Sequence, residues 1–116
     1  MRHTFLMTVT GTFAAPVDSE SIHCGPPLPK DRPDGNGVVR TFRWEVRMDA
    51  RELDSDGFVM DNAVVKDYFE AIELIDMSCE VLCRQACRAL WRDNFRQLTV
   101  KIWGADWANV ECTMKG

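Results

Sequence analysis

An α+β fold, with one four-stranded antiparallel sheet and two helices on one of its faces, follows from three features of this 116-residue chain. Two segments in the first half alternate apolar and polar residues, as strands with one buried face do. Two segments after them repeat apolar residues at helical spacing. Two shorter alternating segments close the chain. The order β-β-α-α-β-β places a helix pair between two strand pairs and accounts for residues 1–116 as one domain.

The first strand is expected over residues 3–13. His3, Phe5, Met7, Val9 and Phe13 fall on one side, and Thr4, Thr8, Thr10 and Thr12 mostly on the other. Residues 14–37 hold all five prolines and three of the seven glycines, and read as a long irregular loop. The second strand spans 38–50. Val38, Phe42, Trp44, Val46 and Met48 point one way; Thr41, Arg43, Glu45, Arg47 and Asp49 point the other. Such long, clean alternation favours an antiparallel sheet with one wet face.

The segment Leu53 to Lys66 comes next. Asp54-Ser55-Asp56-Gly57 has turn chemistry, with Gly57 free to take positive φ. Phe58-Val59-Met60 reads as a short strand end, and Asp61 stands as the N-cap of a helix over 61–73 built on Val64, Val65, Tyr68, Phe69 and Ile72. A second helix runs from 78 to 92. Its stripe of Cys79, Leu82, Cys83, Ala86, Cys87 and Leu90 suits a face laid on a sheet, and Glu80 and Arg84 are spaced as an i, i+4 pair. Leu98, Val100 and Ile102 alternate in a third strand; Ala108, Val110, Cys112 and Met114 alternate in a fourth. Gly104-Ala105-Asp106 turns between them.

Composition excludes some function classes. The net charge is −4 and the basic residues do not cluster along the chain, which argues against nucleic acid or an anionic membrane as partner. No apolar run approaches the roughly 20 residues of a membrane span, and MRHTFLMTVTG is no signal peptide. Five cysteines, three of them on one helix, fit free thiols in a reducing cytoplasm better than a disulfide framework.

Strand 38–50 running into Asp54-Ser55-Asp56-Gly57-Phe58-Val59-Met60-Asp61 resembles the second strand, turn and helix entry of the 6-pyruvoyl-tetrahydropterin synthase and 6-carboxy-tetrahydropterin synthase family. Ser78-Cys79-Glu80-Val81-Leu82-Cys83 is similar to the start of that family's second helix, and Val100-Lys101-Ile102 to a strand near its C-terminus. Phe13-Ala14-Ala15 adds a shorter match. The resemblance implies the tunnelling fold, in which β-β-α-α-β-β subunits assemble into homo-oligomeric rings, sometimes stacked, with interface pockets for planar pterins or purines. It also implies a zinc ion on three histidines, a cysteine acting with an Asp-His pair, and a glutamate that grips the pterin edge.

This chain departs from that pattern at each chemical position. The zinc-histidine positions align with Pro16, Val38 and Arg40, so no metal or other cofactor is expected. Cys24 lies in the corresponding loop but far upstream of Val38, no Asp-His occurs between 62 and 78, and Gly104 stands where the family has its glutamate, with Asp106 two residues on. The reading is a divergent member without the family's zinc-dependent catalysis, binding a pterin-like or other planar molecule through Arg40, Ser78, Cys79 and Asp106. The alternative is an active lyase-type enzyme in which Cys24, with His23 as its base, and Arg40 replace the zinc site.

Other features have plain readings beside the sharp ones. His3, His23 and Cys24 lack metal-ligand spacing and read as solvated. Cys79, Cys83 and Cys87 read as small core hydrophobes before a thiol cluster. Arg84, Arg88 and Arg92 read as a solvated stripe, as do Arg43 and Arg47. Trp103 and Trp107 flank the last turn; the sharp reading is stacking on a flat ring, and the favoured one is an ordinary subunit-interface role.

Overall fold

The computed structural model describes residues 3–17 and 38–116. Its elements are β1 (Phe5–Val17), β2 (Val38–Ala50), α1 (Asn62–Glu70), α2 (Cys79–Leu90), β3 (Phe95–Ala105) and β4 (Ala108–Lys115). The strands form one antiparallel sheet in the order β1-β2-β3-β4. Helix α1 lies against β1 and α2 against β3 and β4. The α+β reading and the β-β-α-α-β-β order therefore hold.

The core follows from the alternation. Phe42, Trp44, Val46 and Met48 of β2 are buried with Leu98, Val100 and Ile102 of β3, under Val65 and Phe69 of α1 and the α2 stripe Cys79, Leu82, Cys83, Ala86, Cys87 and Leu90. Burying each such large apolar side chain is worth about 1.5–3 kcal/mol. A stack of rings ties three elements together: Trp44 on Phe69 with centroids 4.5 Å apart, Phe13 on Phe69 at 5.8 Å and Phe13 on Phe42 at 5.1 Å. Helix α2 is tied to β4 by thiols, with Cys83 Sγ donating to the Val110 carbonyl at 3.5 Å and Cys87 Sγ to the Cys112 carbonyl at 3.4 Å.

Caps and turns sit where local chemistry puts them. Asp61 Oδ1 accepts from Ala63 N at 3.0 Å, and Ser78 Oγ accepts from Val81 N at 3.3 Å. Asp54 Oδ1 accepts from Asp56 N and Phe58 N, and Gly57 has φ +86°.

Several expectations need correction. Strand β1 runs on to Val17, so 14–17 are strand and not loop. Pro16 is tolerated because β1 is an edge strand, and its carbonyl accepts from Ile75 N at 2.9 Å. Residues 18–37, with His23 and Cys24, lie outside the described residues. Phe58-Val59-Met60 is not strand; Asn94 Nδ2 instead holds this loop through the carbonyls of Glu52 and Val59, each at 3.0 Å. Helix α1 stops at Glu70 because the chain must then extend for Ile75 to bridge Val17. Helix α2 stops at Leu90, where the Arg92 guanidinium donates to the carbonyls of Ala89 and Trp91, so this arginine caps a helix end. Glu80 and Arg84 do not pair; the ion pair among the described residues is Lys66–Glu70 at 3.9 Å. Cys83, Cys87 and Cys112 are free, but Cys79 is disulfide-bonded, which corrects the reading of every helix cysteine as a thiol.

Candidate functional site

One end of the sheet gathers most of the residues singled out by sequence. The register sets Ala15 opposite Arg40, Pro16 opposite Val39 and Val17 opposite Val38. Ile75 bridges Val17, which brings the α1–α2 connection to this end, and Ser78 caps the helix that follows. On the other side of β2, Arg43 pairs with Trp103, so the β3–β4 turn with Asp106 belongs to the same end.

The two faces of the sheet divide these residues. Arg40 is half-buried on the helix-covered face, and burial lowers its guanidinium pKa from the usual 12.5. Cys79 is buried and disulfide-bonded, and the Ser78 oxygen is engaged as a helix cap. Pro16, one residue off Ala15, falls on the opposite face from Arg40, because successive strand residues alternate. Asp106 is exposed and lines a recess of about 290 Å³ with Thr12, Thr41, Arg43, Trp103 and Ala105.

That recess belongs to the helix-free face, and sequence reasoning undervalued it. Arg43 lies 4.1 Å over the Trp103 ring and Lys101 Nζ 4.8 Å from the same centroid. Arg43 and Trp103 are direct cross-strand partners, and Lys101 lies two residues before Trp103 on the same face. The signal was available in the alternation of both strands, but pairing β2 with β3 requires a register that sequence alone does not supply.

The resemblance implies zinc, at positions that align with Pro16, Val38 and Arg40. Pro and Val have no side-chain donor, Arg is a cation, and Ala15 opposite Arg40 offers nothing. Among the described residues no three His, Cys, Asp or Glu side chains are placed to hold a metal. No helix among them is long and apolar enough to cross a membrane.

A four-stranded antiparallel sheet with two helices on one face, joined β-β-α-α-β-β, is the subunit of the tunnelling fold. The structure is similar to Caenorhabditis elegans 6-pyruvoyl tetrahydropterin synthase, with TM-score 0.58 and 14% identity over 100% of this chain and 99% of that one. It is similar as well to a catalytic-residue mutant of Plasmodium vivax 6-pyruvoyltetrahydropterin synthase, with TM-score 0.57 and 7% identity over 98% and 99% of the two chains. No protein-family model and no curated protein matches the sequence. The described residues thus have a 6-pyruvoyl tetrahydropterin synthase-like fold.

Proposed function

We propose that this chain is a divergent 6-pyruvoyl tetrahydropterin synthase-like protein that binds a pterin-like or other planar small molecule and does not carry out the family's zinc-dependent chemistry. One observation carries the reading: where β1 meets β2, the scaffold is kept while the side chains opposite one another, Ala15 and Arg40, cannot ligate a metal. Arg40 would offer its planar fork to an acidic or carbonyl-bearing edge, with the N-terminus of α2 at Ser78 and Cys79 and the turn at Asp106 completing the pocket across a subunit boundary. Homo-oligomerisation is supported by the outer edges of β1, before the Val17–Ile75 bridge, and of β4, which pair with no further strand among the described residues and which a ring would cover. The free thiols Cys83, Cys87 and Cys112 favour a reducing, cytoplasmic setting, while the disulfide at Cys79 argues the other way.

The test combines metal analysis with ligand binding on the purified protein. Expected are far less than one zinc per chain and saturable quenching of neopterin fluorescence that weakens in Arg40→Ala. About one zinc per chain, or neopterin affinity unmoved by Arg40→Ala, overturns the reading.

A further inference from the structure

At the end of the sheet away from Arg40, a recess of about 610 Å³ is lined by His3, Thr4, Arg51 and Arg96. We propose that it is a binding site for a small phosphate-type oxyanion, free or carried as a monoester. The four residues come from three separate parts of the chain: the two residues before β1, the residue after β2, and the second residue of β3. Scattered in sequence, they form no basic run. The register that pairs Phe5 with Ala50, and Ala50 with Phe95, brings them together.

The recess is cationic in a chain of net charge −4, and no carboxylate lines it among the described residues. Neither arginine lies within ion-pair distance of a described carboxylate, so neither positive charge is neutralised by one. The backbone on which they stand is held: Arg51 N donates to Asn94 O at 2.9 Å, and Gly116 N to Arg96 O at 2.9 Å. The Arg96 fork is oriented as well, because its Nη2 donates to Thr4 Oγ1 at 3.3 Å. Having accepted that bond, the Thr4 hydroxyl keeps its own proton to donate.

Two guanidinium groups and a hydroxyl around one volume match a compact anion with several acceptor oxygens. Arginine pairs bidentately with phosphate oxygens, and such charge-assisted bonds are about twice as strong as neutral ones. A dianion also answers two fixed positive charges better than a single carboxylate does. Arg40 and Arg51 lie eleven residues apart along β2 and its end, roughly 35 Å at strand rise. The oxyanion site is thus separate from the pterin-like pocket, and either can fail without the other.

The experiment is calorimetric titration of the full chain with inorganic phosphate at low ionic strength. A single site with a dissociation constant of about 1 mM or tighter is expected. Arg51→Gln and Arg96→Gln should each weaken it about tenfold or more, and Arg96→Lys, which keeps the charge and loses the fork, by less than Arg96→Gln. Arg84→Gln, on the exposed face of α2, should bind as the parent does. Glycerol phosphate competing for the same site would show that a monoester is accepted, again through Arg51 and Arg96. All substituted residues are exposed, and unchanged circular dichroism melts would establish that each variant is folded. Absence of saturable binding, or phosphate affinity equal in the parent, Arg51→Gln and Arg96→Gln, overturns the proposal.

Discussion

Gly11 on β1 stands directly opposite Trp44 on β2, and a Cβ at residue 11 would lie 2.5 Å from Trp44 Cζ2 and 2.8 Å from Cε2. The indole therefore passes over the one residue of β1 that has no side chain. It is held from the other side by stacking on Phe69, so it cannot swing away. Gly11→Ala should destabilise the fold by about 1–3 kcal/mol, the usual cost of overpacking, read from urea unfolding. The cost should shrink in a Trp44→Leu background. Equal costs in the two backgrounds would show that the contact is not the cause.

The loop after β2 supplies a second pair of tests. Gly57 at φ +86° is in the left-handed region, and a Cβ at this residue would meet nothing within 4 Å. Gly57→Ala should therefore cost about 1–2 kcal/mol through backbone conformation alone. Asp61→Ala removes the acceptor of the Ala63 N–H and should cost about 0.5–2 kcal/mol. Thermal unfolding of the two variants checks both, and Gly57→Asn, which tolerates this region better, should recover part of the first loss.

These local features were legible in the sequence because each is decided by near neighbours. Asp61 and Ser78 cap their helices as their positions suggest, and the six apolar residues of α2 are all buried. What was not legible depends on distant partners. Pro16 could be read only as a loop residue until β2 is seen beside it and Ile75 is seen to use its carbonyl. Trp103 and Arg43, sixty residues apart, become a pair only once β2 and β3 are in register. The convergence of His3, Arg51 and Arg96 is of the same kind. Phe58-Val59-Met60 misled because three apolar residues look like a strand, whereas Asn94 fastens them as a loop.

The Arg43–Trp103 contact is exposed to solvent on one side, so its contribution is small. Arg43→Ala should lower stability by about 0.5–1 kcal/mol and shift the tryptophan emission. Arg43→Lys should retain part of both effects. An unchanged spectrum in Arg43→Ala would mean that the guanidinium does not rest on the ring in solution.

The thiols beneath β4 make stability depend on alkaline pH. Burial, and next the nearby Cys87 and Cys112 thiols, push Cys83 up to about 12; burial, then Cys112, does the same to Cys87. An unfolded thiol ionises near 9. Because the folded state disfavours the thiolate, it binds more protons than the unfolded chain between these values. The contribution is therefore complete below pH 9 and is lost as pH rises from about 9 to about 12. Burial raises Tyr68 as well, with Cys87 adding to it, and this residue acts in the same direction. The cysteines are separated from it by substitution: urea midpoints should fall less steeply above pH 9 in Cys83→Ala/Cys87→Ala than in the parent. At neutral pH both thiols should react slowly with a disulfide reagent until the protein is denatured. A flat alkaline profile in the parent, or rapid labelling of Cys83 and Cys87 in the native state, would show that these thiols are not held between α2 and β4.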